Sequence, residues 1–134
     1  MKKNLLFILT LCMISFTSHA QTITIVNHSI TCSVSYLANY SPGGTCTMPM
    51  AGMSGSLLPG DSILLVQPGG WSFATITDNC TPGNGVTIGN SCPWISPPIP
   101  FTDSWVPASC SGCVASRTAT WTNTGVGSAR VDIN

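Results

Sequence analysis

The chain has no glutamate, and its only lysines are Lys2 and Lys3. Charged residues make up 6% of the 134 residues, histidine occurs twice, and no stretch shows a sustained helical period of apolar side chains. Each shortage excludes something. A nucleic-acid surface needs clustered lysine and arginine to neutralise phosphates, and two arginines cannot form one. Acid–base hydrolysis needs a paired carboxylate or a histidine-activated nucleophile, and beyond the first twenty residues the only histidine is His28, so an enzyme is not expected. Disorder is not the reason for the low charge, because 43% of the residues are hydrophobic.

The first twenty residues, MKKNLLFILTLCMISFTSHA, read as a signal peptide. Two lysines precede an apolar run from Leu5 to Phe16, and Ser18 and Ala20 occupy the small-residue positions before a cut. The run falls short of the roughly 20 apolar residues of a membrane span, and no later segment approaches that length. An uncleaved anchor and a lipoprotein acylated at Cys12 are the rival readings, the second weakened by Leu11 where a small residue belongs. Cleavage after Ala20 leaves residues 21–134 as a single domain. Its charges are Arg117 and Arg130 against Asp61, Asp78, Asp103 and Asp132, a balance of −2. The short leader and scarce arginine point to a bacterial exported protein, periplasmic or extracellular.

Six cysteines remain in that segment: Cys32, Cys46, Cys80, Cys92, Cys110 and Cys113. An even number in an exported chain is read as a disulfide framework. Six cysteines allow 15 pairings. The simplest expectation closes nearest neighbours, Cys32 with Cys46, Cys80 with Cys92 and Cys110 with Cys113. A loop of about 15 residues closed in this way contributes roughly 3 kcal/mol in the chain-entropy model.

Strand and turn signals fill the chain. Thr22 to Val26 alternates polar and apolar, Thr31 to Leu37 is rich in β-formers, and Ser62 to Gln67 and Trp71 to Thr77 flank Pro68-Gly69-Gly70 as an expected hairpin. A short strand is expected at Val86 to Ile88, and Arg117 to Asn123 turns through Thr124–Gly127 into a last strand with Ala129, Val131 and Ile133 facing inward. About seven strands without a helix predict an all-β, disulfide-stapled β-sandwich. No internal repeat of fixed period is present.

Ile25-Val26-Asn27 with Cys32 following, Leu58-Pro59-Gly60-Asp61-Ser62-Ile63, and Trp71 with Ala74 and Thr77-Asp78-Asn79-Cys80 together resemble the opening half of thaumatin-like proteins. The resemblance implies a secreted β-sandwich. It carries over no functional residue, because the acidic cleft of that family has no counterpart among the four scattered aspartates.

Candidate sites are few. His28, in Asn27-His28-Ser29, reads as an exposed loop residue, and Asp78 and Asp103 sit in ordinary turn chemistry. Cys110-Ser111-Gly112-Cys113 has redox spacing but no helix follows to activate a thiolate, and one such pair is too few ligands for structural zinc. Met48, Met50 and Met53 offer thioethers of the kind that hold Cu(I), although methionine more often fills apolar gaps. Alternating threonines at 22 and 24, 75 and 77, and 118 to 122 raise an ice-binding reading, but without a fixed repeat a solvent-facing strand is the better account of them.

The stretch Ser91 to Cys113 is the strongest candidate. Pro93, Pro97, Pro98, Pro100 and Pro107 stiffen it, and Trp94, Phe101 and Trp105 are aromatic anchors suited to a sugar ring or a protein hot spot. The plain alternative folds these rings inward as a lid on one end of the sandwich. The sequence therefore predicts a secreted, non-catalytic binding or surface-interaction module for an extracellular glycan or protein, with no cofactor and no membrane span. Its rivals are a copper-binding protein using Met48, Met50 and Met53, and a small thaumatin-like carbohydrate-active enzyme.

Overall fold

The computed structural model describes residues 20–134 apart from 81–82, 96–97 and 114, and the side chain of Cys110. Residues 1–19 of the expected signal peptide, Cys12 among them, and Pro97 lie outside the described residues. Nine strands run in order: β1 (Ala20–Asn27), β2 (Val34–Ser41), β3 (Ala51–Leu57), β4 (Ser62–Pro68), β5 (Gly70–Asp78), β6 (Gly85–Gly89), β7 (Thr102–Trp105), β8 (Arg117–Gly125) and β9 (Ser128–Ile133). Apart from one 3-10 turn at Ser109–Ser111 there is no helix among the described residues, so none is long and apolar enough to cross a membrane.

The strands form two sheets, β4-β1-β9-β8-β7 and β3-β2-β5-β6. All pairings are antiparallel except β1 with β9. Their inner faces enclose one core: Ile23 and Ile25 of β1, Val34, Tyr36 and Ala38 of β2, Trp71, Ala74 and Ile76 of β5, Val86 and Ile88 of β6, Ala119 and Trp121 of β8, and Ala129, Val131 and Ile133 of β9. The sandwich follows directly from the period-two pattern, because alternate residues leave the water on one face only.

Two strands were not apparent in the sequence. The β3 segment AGMSGSL is short of β-branched residues and lies at a sheet edge, and β7 spans four residues inside the proline-rich stretch. The expected hairpin of Ser62–Gln67 with Trp71–Thr77 does not form. β4 pairs with β1 in one sheet and β5 with β2 and β6 in the other, so Pro68-Gly69-Gly70 is a crossover between sheets. Close packing dictates the glycine: Gly69 has φ +126°, and a Cβ there would lie 2.2 Å from the Ser41 carbonyl oxygen.

Beyond the crossover, β5 carries a bulge opposite Asn39 and Tyr40 that turns both Trp71 and Ser72 inward. Trp71 is fully buried, donates its indole N–H to the Gln21 carbonyl at 3.2 Å, and packs edge-on to Tyr40 at 5.3 Å. Its backbone N–H donates to the Gly127 carbonyl at 2.9 Å, which joins the two sheets at this corner.

The disulfides do not close nearest neighbours. Cys32 pairs with Cys113 and Cys46 with Cys92, spanning 81 and 46 residues. Cys80 is disulfide-bonded as well. Folding decides the partners, because the strand order brings the loops before β2 and β8 to one end of the sandwich and those after β2 and β6 to the other.

Candidate functional site

The proline-rich segment leaves β6 at one end of the sandwich and returns along its side. Cys92 is tied to Cys46, and Ile95 N–H donates to the Cys92 carbonyl at 2.9 Å. At the far side Gly89 N–H donates to the Pro100 carbonyl at 3.1 Å and Trp121 N–H to the Phe101 carbonyl at 2.6 Å. Residues 100 and 101 therefore bridge β6 of one sheet and β8 of the other, and β7 continues from them. Ile99, 4% exposed, is buried beneath the segment.

Between this segment and β6 lies a cleft of about 390 Å³ lined by Val86, Thr87, Ile95, Pro98, Pro100 and Asp103, together with Gly85 and Ile99. Its one charge is Asp103, whose Oδ1 accepts the Ser104 N–H at 2.8 Å. Trp94 and Phe101, adjacent in sequence to lining residues, are 44% and 49% exposed. Trp105 differs: at 6% exposure it belongs to the core. Of the three aromatic residues expected to present a contact surface, two face solvent and the third is structural, since Trp105 pairs with the buried Arg117 of β8 and packs into the core. Trp71 and Trp121 are core residues, as their strand positions predict.

A second cleft, about 430 Å³, opens at the sandwich end where the β2–β3 loop, the β4–β5 crossover and the β8–β9 turn meet. Gln21, Pro42, Thr45, Pro68 and Val126 line it with several glycines. It holds no charge and no aromatic side chain.

The remaining candidates are spent on structure. Asp78, 3% exposed, accepts the Asn84 N–H at 2.9 Å and the Ala108 N–H at 2.5 Å, closing the turn after β5 onto the segment after β7. No hydrogen bond joins Asp78 to Asp103. Cys113 is bonded to Cys32, so Cys110 and Cys113 do not form a local redox pair, and the side chain of Cys110 lies outside the described part. Met48 is 68% exposed, whereas Met53 packs against the core and its sulfur accepts from Gln67 Nε2 at 3.0 Å. Among the described residues no group of three or more histidine, cysteine or acidic side chains is placed to hold a metal ion.

His28 is exposed and pairs with Asp132 at 2.7 Å, and Arg130 holds the same carboxylate through Nε and Nη2. The Arg130 hydrogen bond is the main reason that the Asp132 carboxyl titrates below the usual range, with burial opposing it and the His28 hydrogen bond assisting. This ion pair interrupts the outer face of its sheet, where Thr24 lies beside Arg130 and Thr120 beside Asp132, so the threonines do not form an unbroken array.

Comparison with protein-family models, with curated proteins and with solved structures finds no match to this chain. The walls of the side cleft escaped the sequence reading. Val86 and Thr87 belong to a segment read only as a short strand, and the nearness of that strand to Ile95 and Pro98 depends on the 46–92 disulfide and the 89–100 hydrogen bond.

Proposed function

We propose that this chain is an exported, non-catalytic binding module that takes an extracellular glycan or protein at the cleft beside β6. One observation carries the reading: Trp94 and Phe101 are exposed on a segment fastened to both sheets. Ordinarily a small domain buries its large aromatics, and rings held out on a rigid loop lose little freedom when a partner arrives. Disulfides are consistent with an oxidising compartment, whether periplasm or exterior. The thaumatin-like resemblance is retained as a proposal of kinship only.

The test is a glycan array followed by titration of any ligand found, with surface display against extracellular protein as the second arm. Trp94→Ala and Phe101→Ala should each weaken attachment by about 2 kcal/mol or more. Thermal stability should stay within roughly 0.5 kcal/mol, as for other surface substitutions. Trp105→Ala should do the reverse, lowering stability by about 3 to 5 kcal/mol. Unchanged attachment in both exposed-ring variants would overturn the reading.

A further inference from the structure

Among the described residues, no charged side chain stands on the outer face of the β3-β2-β5-β6 sheet. Asp78, the one charged residue on these four strands, is buried. Strand register sets the outward residues in rows that cross the sheet. Ser56, Ser35, Thr77 and Gly85 stand side by side in one row, and Ser54, Leu37, Thr75 and Thr87 in the next. Gly52, Asn39, Phe73 and Gly89 form the third. Neighbours in a row are about 4.8 Å apart and successive rows about 6.7 Å apart, because alternate residues of a strand face the same way. The sequence has no repeat, yet pairing gives this face one in two directions.

Glycines keep the relief of the face low. A Cβ at Gly52 would lie 2.9 Å from Leu37 Cδ1 and 3.0 Å from Asn39 Oδ1, one at Gly85 would lie 2.7 Å from Thr77 Cγ2, and one at Gly89 2.7 Å from Phe73 Cβ. Side chains of the two inner strands thus lie down over bare backbone of the two outer ones. The hydroxyls also hold one another in place. Ser35 Oγ and Ser56 Oγ are 3.3 Å apart, Thr75 Oγ1 and Thr87 Oγ1 are 3.0 Å apart, and Ser35 Oγ donates to Asn79 Oδ1 at 2.5 Å. The outer face of the other sheet is interrupted by Arg130 and Asp132.

What such a face can hold follows from what it lacks. Protein hot spots are built on tryptophan, tyrosine and arginine, and none of these stands in the three rows. Sugar rings stack on exposed aromatic side chains, and the one ring here, Phe73, is half-buried. A surface of ordered water makes different demands. It excludes charges, because each keeps its own hydration shell and resists losing it. It accepts short hydroxyls as stand-ins for its own molecules, with small apolar groups between them, and Ser54, Ser56, Thr75, Thr77 and Leu37 supply both. We infer that the outer face of the β3-β2-β5-β6 sheet is an ice-binding surface. It meets the side cleft along Gly85 and Thr87 and does not depend on that cleft having a ligand.

The experiment uses the oxidised protein, with ice as the probe. An ice shell grown slowly from dilute solution should be enriched in the protein, whereas an unrelated globular protein of similar size stays in the liquid. Recrystallisation of fine-grained ice should be arrested as well. Leu37→Lys and Ser54→Lys each place a charge at an exposed position of the middle row, and should raise the concentration needed for arrest by about tenfold or more. Thr24→Lys, on the opposite sheet, should leave it unchanged, and matching melting temperatures show that all three variants are folded. Exclusion of the unaltered protein from ice, to the same degree as the unrelated one, would overturn the inference. Full ice activity in both middle-row variants would do so too, as would equal loss in Thr24→Lys. Capture by crystalline cellulose or chitin that Leu37→Lys abolishes, with ice ignored, would give the face to a polysaccharide instead.

Discussion

The two ends of the sandwich are held by different means. At one end the loop after β2, the crossover from β4 to β5 and the β8–β9 turn meet without a charged side chain, closed by glycines and by the Cys46–Cys92 bridge. At the other end buried polar groups knot the connections together. Asn27, fully buried, donates through Nδ2 to the Cys32 and Leu58 carbonyls at 2.7 and 3.1 Å and accepts the Ser29 N–H at 3.2 Å, while its own N–H reaches the Asp61 carbonyl at 2.9 Å. Asp78 does the same for residues 84 and 108, and Cys32–Cys113 lies among them. Close backbone approach leaves a cleft, whereas side-chain hydrogen bonding fills the space. An end built from glycine is therefore the open end, and one built from buried amides and carboxylates is the closed end.

Removing the bridges should break this comparison most visibly. By chain entropy alone, loss of Cys32–Cys113 costs about 4.5 kcal/mol and loss of Cys46–Cys92 about 4 kcal/mol, nearly the same. Denaturant unfolding of the two double-alanine variants measures both. Limited proteolysis should separate them: the variant lacking Cys46–Cys92 should be cut within residues 42–50 and 91–95, which are then tied mainly by hydrogen bonds within their own loops and by the one from Cys46 N–H to Ser72 Oγ, and the variant lacking Cys32–Cys113 should resist there. Equal cutting patterns would show that the ends do not differ as described.

A smaller effect sharpens the closed end. Asn27→Ala strands two carbonyls and one N–H in a buried site, and should cost roughly 2 to 3 kcal/mol by denaturant unfolding, without altering attachment at the side cleft. A loss below about 0.5 kcal/mol would show that water replaces the amide.

The smallest effect is on pH. Asp132 has a depressed pKa in the folded state, so its contribution is present above the ordinary carboxylate value of about 3.9 and disappears as pH falls through the lower folded value. Melting temperatures taken from about pH 5 to pH 2 should fall less steeply in Asp132→Asn than in the unaltered chain. Identical slopes would remove Asp132 from the acid response.

Local pattern carried the fold a long way. The inward set Ala129, Val131 and Ile133, the alternation at Thr22–Val26 and the turn at Thr124–Gly127 are readable because each depends on its own few residues. Partner choice was not readable. Ser62–Gln67 and Trp71–Thr77 look like a hairpin from either side of their turn, and only the close approach of Gly69 to Ser41 reveals a crossover. Cysteine pairing failed for the same reason, since Cys32 and Cys113 meet through the whole strand order. At the site, the stiffness of the proline-rich stretch and its aromatic content were visible, but β7 hides Trp105, and the opposition of Trp105 to Arg117 exists only once β7 and β8 have paired.

The parallel pairing of β1 with β9 has a mechanical consequence. Chain enters β1 at the glycine-built end and leaves β9 at the opposite end, the two strands lying side by side over Ile23–Asn27 and Ala129–Ile133. Tension applied at Gln21 and Asn134 would pull these strands lengthwise past each other, loading the hydrogen bonds of the ladder in shear and all at once, rather than peeling them singly from one end. Such a ladder resists lengthwise pulling more than it resists peeling.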